Sequence, residues 1–191
     1  MTKKKEDSYA FPCAVIKANE RTLLTGSDLE RVMESGKISQ AVTILGEFGY
    51  GDGKELANPR DFEKVLRAEL DRVYKLVFSI VPDKEEIELF LLPSDYHNAK
   101  VLLKSEFLGI DPTPLLVDTG LMSAEKLTQL VRERNYVFLS SEMKDALTEA
   151  AEIFSKGRDP QEIDIILDKA CYRDMQRRAA LTENDFIIGY V

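Results

Sequence analysis

Apolar residues return at intervals of three and four along most of this chain, with polar residues between them, which is the spacing of helices that bury one face. Leu24-Thr25-Gly26-Ser27-Asp28-Leu29 reads as a helix start. Thr25 is placed to cap free amides, Asp28 follows three residues later, and Leu24 can staple onto Leu29. The helix is expected to carry Leu29, Val32 and Met33 inward and to stop at Gly36. A second short helix follows with Ile38, Ala41, Val42 and Leu45 and closes near Gly49. The longest run begins after Asn58-Pro59, where Phe62, Val65, Leu66, Leu70, Val73, Tyr74, Val77, Phe78 and Val81 form one continuous stripe. Glu85 to Leu92 is expected as a short helix closed by Pro93. Leu92-Pro93-Ser94 is then a corner, with Ser94 capping a helix that runs through Tyr96, Val101, Leu102, Leu103 and Phe107 to Gly109.

The period breaks over 110–122, which holds Pro112 and Pro114 beside Leu115, Leu116 and Val117. Helices resume at Ser123 with Leu127, Leu130 and Val131, then with Met143, Leu147, Ala150, Ala151 and Phe154 up to Gly157. Asp159-Pro160-Gln161-Glu162 opens another long helix, combining an acid at the cap, proline at the first helical position and glutamate at the third. Its stripe is Ile163, Ile166, Leu167, Ala170, Cys171 and Met175. Only Tyr136-Val137-Phe138-Leu139 suits a short extended piece, and no stretch sustains the alternation of a sheet, so the class is all-α.

Two long helices, each preceded by shorter ones, suggest duplication: Leu70-Asp71-Arg72-Val73-Tyr74 parallels Leu167-Asp168-Lys169-Ala170-Cys171. The expected layout is a disordered tail at 1–8, a first helical unit at 9–109, a boundary at 110–122 and a second, incomplete unit at 123–191. The second unit's counterpart of Asp95 to Lys100 would fall beyond Val191.

Composition narrows the function. With 44% hydrophobic and 31% charged residues in 191, the chain can bury a core. A net charge of -8 opposes nonspecific binding to nucleic acid, whose phosphates need clustered Lys and Arg. Cys13 and Cys171 are far apart and lack a C-x-x-C partner, so neither a disulfide framework nor a zinc set is expected, and a reducing, cytoplasmic setting follows. No apolar run approaches the length of a membrane span, and no apolar segment behind the three early lysines makes a secretory signal.

Reaction chemistry is sparse. The one histidine, His97, has Ser94 three residues before it, so the Glu-x-x-His metal pattern is missing, and His97 is expected to cap or pack at its helix start. Asp164 and Asp168 lie one turn apart beside the apolar stripe and read as a solvated or interface face, with Lys169 and Arg173 near enough for ordinary surface pairs. Gly49-Tyr50-Gly51-Asp52-Gly53 lacks the spacing and the Lys-Ser/Thr of a phosphate loop. Cys171, on its stripe, is expected to be buried packing. No cofactor, metal site or catalytic group is expected, and the chain is read as a protein that works by binding.

Three segments then carry a resemblance. Asp95-Tyr96-His97-Asn98-Ala99-Lys100-Val101-Leu102-Leu103-Lys104 resembles the D-x-x-N-x-K-x-L-L-[KR] signature of the C subunit of V-type (archaeal and bacterial) rotary ATPases, the counterpart of the eukaryotic d subunit. Pro160-Gln161-Glu162-Ile163-Asp164-Ile165-Ile166-Leu167-Asp168-Lys169 is similar to that family's P-x-x-I-D-x-x-L-D-K pattern. Tyr9-Ala10, Arg21 and Leu23-Leu24-Thr25, with a helix pair ending at Gly49-Tyr50, resemble its opening. Phe11-Pro12-Cys13 departs, standing where the family more often has small residues and a helix.

The resemblance runs from Tyr9 to Val191, but family members are much longer and have three related helical units, so an amino-terminal fragment is expected. It implies a non-catalytic connector: a cone of helices seated on the membrane rotor ring, receiving the central stalk of the catalytic head and supporting ATP-coupled proton or sodium transport. Proteins of the rotor ring and the stalk would be the partners, on the cytoplasmic face of the membrane. Asp95, Tyr96, His97, Asn98 and Lys100, with Pro160, Ile163, Asp164, Leu167, Asp168 and Lys169, would be architectural, Asn98 satisfying backbone groups where helices meet. A fragment is also expected to self-associate non-physiologically or to have a mobile carboxyl end. The alternative reading is a freestanding helical-repeat adaptor that binds a soluble protein, and a small helical enzyme or ligand carrier would need an apolar pocket with converging polar groups.

Overall fold

The structure, a computed structural model, describes residues 8–53, 62–157 and 159–191. The expected Asn58-Pro59 helix start, and the expected tail apart from Ser8, lie outside them. Among the described residues every regular element is helical. Contacts divide the chain into two compact units, Met1–Pro82 and Asp83–Val191.

The amino-terminal unit contains α1 (Ala10–Glu20), α2 (Gly26–Glu34), α3 (Ile38–Glu47), a 3-10 turn at Tyr50–Gly53 and α4 (Phe62–Ile80). Phe11-Pro12-Cys13 is helical after all. Pro12 falls in the first turn of α1, where a missing N–H breaks no helical bond, and its ring is buried. The reading of Thr25 holds in detail: Asp28 N–H donates to its hydroxyl at 3.4 Å, and Thr25 N–H donates back to Asp28 at 2.9 Å. Burial departs from expectation. Leu29 and Met33 are 48% and 76% exposed, and along α4 Phe62, Leu66, Leu70 and Val73 are exposed while Val65 is buried. Periodicity reports which face is apolar; whether a neighbour covers it depends on tertiary packing that the spacing does not contain.

The carboxyl-terminal unit contains α5 (Lys84–Glu88), a 3-10 turn at Leu89–Leu91, α6 (Leu92–Leu108), a 3-10 turn at Thr113–Leu115, α7 (Ala124–Arg132), a 3-10 turn at Tyr136–Phe138, α8 (Ser141–Gly157), α9 (Pro160–Leu181) and α10 (Asp185–Tyr190). The expected corner at Leu92-Pro93-Ser94 is absent. Pro93 lies in the first turn of α6, where proline costs no bond, so the chain passes from the 3-10 turn straight into the helix. Ser94 is inside that helix, and its hydroxyl meets Thr119 at 2.9 Å instead of capping. Tyr136–Phe138 is a 3-10 turn, not an extended piece. Gly109 ends α6 with φ 67°, a left-handed conformation that glycine adopts without a Cβ penalty.

The core of this unit is a layer of α6, α8 and α9, joined by α7. Leu89, Leu103, Leu127, Leu147, Ile163 and Leu167 have no accessible surface. Phe107 of α6 stacks on Phe154 of α8 with ring centroids 4.1 Å apart. Asp159 caps α9 by accepting from Gln161 N–H at 2.9 Å. Sequence placed a boundary at 110–122, whereas the contacts divide the chain at Pro82. The 110–122 segment is instead bound to α6 by side chains of that helix.

Candidate functional site

The two sequence motifs meet in space. Lys100 Nζ donates to Asp168 Oδ1 at 2.7 Å, and one turn along α6 Lys104 Nζ donates to Asp164 Oδ2 at 2.6 Å. One turn earlier the Tyr96 hydroxyl donates to Asp174 Oδ2 at 3.3 Å. Ascending positions on α6 pair with descending positions on α9, so the helices run antiparallel and their motif faces form a ladder. Asp164 and Asp168 therefore pair with lysines of another helix rather than with Lys169 and Arg173, as the sequence suggested. Lys169 stands next to Asp168 and five residues from Asp164, spacings that do not bring side chains together on one helix, whereas Lys100 and Lys104 approach from a packed neighbour.

The rungs differ in burial and so in energetic weight. Lys100, Asp168, Lys104 and Asp164 keep 21%, 51%, 30% and 39% of their side-chain surface, a range in which an ion pair contributes about 0–1 kcal/mol. The rung at Asp174 is different, because that carboxylate has no accessible surface. Its Oδ1 accepts from Arg177 Nη2 at 2.8 Å and from Arg178 Nε at 3.0 Å. Burial pushes Asp174 up, but the hydrogen bonds from Ser140 and Arg178 and the two guanidinium charges outweigh it and hold the carboxyl below its ordinary value. Arg177 Nε also donates to Glu142 of α8 at 2.7 Å, tying a third helix into the network.

On its other side α6 holds the 110–122 segment. Asn98 uses both ends of its amide on one residue: Nδ2 donates to the Val117 carbonyl at 2.7 Å and Oδ1 accepts from Val117 N–H at 2.9 Å. The carboxylate of Asp95, 5% exposed, accepts from Leu121 N–H at 3.0 Å and from Met122 N–H at 3.2 Å. Gly120 passes so close that a Cβ there would collide with Asp95 Oδ1. His97, exposed, donates from Nε2 to the Leu115 carbonyl at 3.0 Å, so it reaches the segment instead of capping its own helix. Ile163 and Leu167 lie in the core, Pro160 opens α9, and exposed Lys169 takes no part in the ladder.

Sequence reading missed Asp174 and Gly120, and it saw Arg177-Arg178 only as a charged cluster without a partner. Asp174 had a signal: it lies three and seven residues after Cys171 and Leu167, so an acid occupies the apolar stripe, with arginines three and four residues on. Gly120 had none, since its partner is far away in the chain.

A half-open cavity of about 160 Å³ adjoins this network, walled by Asp95, Ser140, Asp174 and Arg178 with Leu92 and Leu127. Among the described residues no group of three or more His, Cys, Asp or Glu is placed to hold a metal ion, and no helix is long and apolar enough to cross a membrane. The arrangement couples helices and a connecting segment.

The model of the ATP synthase (C/AC39) subunit family matches residues 12–189. The C subunit of the A-type ATP synthase of Methanocaldococcus jannaschii is 31% identical over 132 residues, covering 64% of this chain and 33% of the relative. The C subunit of the V-type sodium ATPase of Enterococcus hirae is 26% identical over 164 residues, covering 86% of this chain and 50% of the relative. The C subunit of the A-type ATP synthase of a Desulfurococcus species is 30% identical over 121 residues, covering 60% of this chain and 33% of the relative. The chain thus spans a third to a half of the length of these relatives, and no solved structure matches it significantly. With the motif faces docked in an all-α body and the family model matched over nearly the whole chain, this protein belongs to the ATP synthase (C/AC39) subunit family.

Proposed function

We propose that the chain acts as the C subunit of a rotary A/V-type ATP synthase or ATPase, a non-catalytic connector between the membrane rotor ring and the central stalk of the catalytic head, serving ATP-coupled proton or sodium transport. The observation that carries this reading is the family match over residues 12–189. A connector under torque needs stiffness more than reactive groups. The 22-residue α9, about 33 Å long at the usual rise and packed along α6 and α8, is suited to that demand. Attachment to the membrane would be through protein partners, at the cytoplasmic face.

In this reading the motif residues are architectural. Asp95, Asn98 and His97 fasten the segment after α6, while Tyr96, Lys100 and Lys104 set α6 against Asp164, Asp168 and Asp174 of α9. The likeness between the α4 and α9 segments supports two related helical units.

The test is the mass of the native gene product together with an affinity pull-down from its own membranes. A product as long as the relatives that brings down stalk and ring proteins is expected. A complete 191-residue protein that captures neither would sink the connector reading and favour a freestanding helical adaptor.

A further inference from the structure

The half-open cavity beside the α6 and α9 network has a floor and a mouth of different character. Its floor is enclosed: Leu92, Leu127 and Met143 keep 2%, 0% and 4% of their surface, and Asp95 and Asp174 are equally buried. Both floor carboxylates are already engaged, Asp95 by the amides of Leu121 and Met122, and Asp174 by Tyr96, Arg177 and Arg178. The mouth is apolar and open, with Leu121 and Phe138 37% and 68% exposed and Val137 beside them 81% exposed. Two cations stand there. Arg178 spends its Nε on Asp174, and its two terminal nitrogens have no hydrogen-bond partner among the described residues. Lys126 of α7 holds its Nζ 5.7 Å from the centroid of the Phe138 ring and pairs with no carboxylate among the described residues. Glu142, at the start of α8, is taken by Arg177.

We propose that this cavity is an anchor pocket for a partner protein, one that inserts a single aliphatic side chain and carries carboxylates on either side of it. The floor selects the anchor. Its carboxylates have their donors already, so a polar tip would give up water without gaining a bond there, whereas an aliphatic tip gains by leaving water. A cavity of about 160 Å³ is of the size that holds a benzene ring, and so one leucine side chain. The mouth selects the flanks. Lys126 and the terminal nitrogens of Arg178 are unspent cationic donors in a chain whose net charge is -8, and carboxylates beside the anchor meet them with charge-assisted bonds that a lysine could not make. Leu121, Val137 and Phe138 then surround the anchor as an apolar rim that excludes water, the arrangement of a small interface hot spot. The pocket lies wholly in the carboxyl-terminal unit and asks nothing of a rotary assembly, so it stands or falls apart from the connector reading.

Titration at low salt with a short peptide, blocked at both ends and carrying one leucine at its centre with aspartates on each side, tests it. Carbon-13 labels on the methionine methyls report binding, because Met122 and Met143 line the cavity while Met33 belongs to the amino-terminal unit. Saturable shifts at Met122 and Met143, with a Kd of about 1 mM, are expected. A peptide with serine in place of the leucine, or with lysines in place of the aspartates, should bind about tenfold more weakly or worse. In the chain, Leu121→Trp should plug the mouth and remove the shifts, since the Leu121 amide that holds Asp95 is kept. Should that variant fail to fold, Lys126→Glu at its exposed position decides, and it should weaken the aspartate peptide about threefold or more while improving the lysine peptide. No saturable shift, equal binding of the serine or lysine peptide, or unchanged binding in either variant overturns the proposal. Shifts at Met122 and Met143 that follow chain concentration without peptide overturn it as well, because they would put a second copy in the pocket.

Discussion

The Tyr96 hydroxyl donates to Asp174 Oδ2 across 3.3 Å and joins α6 to α9 over 78 positions of sequence. Both groups are enclosed, Tyr96 at 1% and Asp174 at 0% exposure, so neither exchanges this partner for water. Tyr96→Phe is expected to cost about 1–2 kcal/mol, because it removes one donor from a buried carboxylate that keeps its arginines. Asp174→Ala is expected to cost more, about 2–4 kcal/mol, since it removes the carboxylate shared by the buried Tyr96 hydroxyl and both guanidinium groups. Urea unfolding of both variants checks the order; Tyr96→Phe proving the costlier would show that the rung is not where the stability lies.

Gly120→Ala should destabilise the chain by about 1–3 kcal/mol through collision with Asp95. Asp95→Ala removes the atom that is struck. The double variant is therefore expected to be less damaged than the sum of the singles, and strict additivity in a double-mutant cycle would contradict the contact.

Charge exchange across the ladder probes register rather than strength. Lys104→Glu alone places like charges together at Asp164 and should cost about 0.5–1 kcal/mol, with Asp164→Lys restoring most of it in the double variant. Thermal melts at low salt, where such pairs are least screened, give the clearest reading. No restoration would mean that the lysine and aspartate do not meet in solution.

The cysteines should separate by accessibility. Cys13 is exposed, while Cys171 is buried on α9 and its thiol is pushed up to about 12, by burial first and then by the charges of Asp168 and Asp174. Mass spectrometry after brief treatment of the native chain with iodoacetamide is expected to find label on Cys13 and none on Cys171. Denaturant should release Cys171, and its rapid native labelling would show that α9 does not pack as described.

In the core, Leu103→Ala and Leu167→Ala each remove a fully buried side chain and should cost about 2–5 kcal/mol. Leu70→Ala, at an α4 position that is 48% exposed, should cost well under that. Comparison of denaturant midpoints distinguishes them; equal losses would place a partner over the α4 face.

Much of this protein was legible in its sequence, for identifiable reasons. Caps are local, so Thr25 with Asp28 and Asp159 with Gln161 could be read from a few neighbouring letters. Helix faces are periodic, so the α9 stripe through Ile163, Leu167 and Cys171 was visible as well. What failed was information held between distant segments. Lys100 and Lys104 were visible as motif letters, yet nothing near them pointed to Asp168 and Asp164. Pro93 gave a second kind of error, because proline is a stop within a helix and a good fit in its first turn, and the letter does not say which. The exposed Leu29 and Met33 are a third kind, an apolar face that no neighbour among the described residues covers.

The ladder has one further property, a matter of degeneracy. Its two charged rungs are chemically the same and stand one helical turn apart, so sliding α9 by a turn would still let Lys100 meet Asp164 or Lys104 meet Asp168. Among the charged rungs alone such a slip forfeits a single surface pair, an amount comparable to thermal energy. A repeated code cannot declare its own reading frame, and within the ladder the rung at Tyr96 and Asp174, unlike the other two and buried, is the one that tells the alignments apart, alongside the apolar core around Leu103 and Leu167.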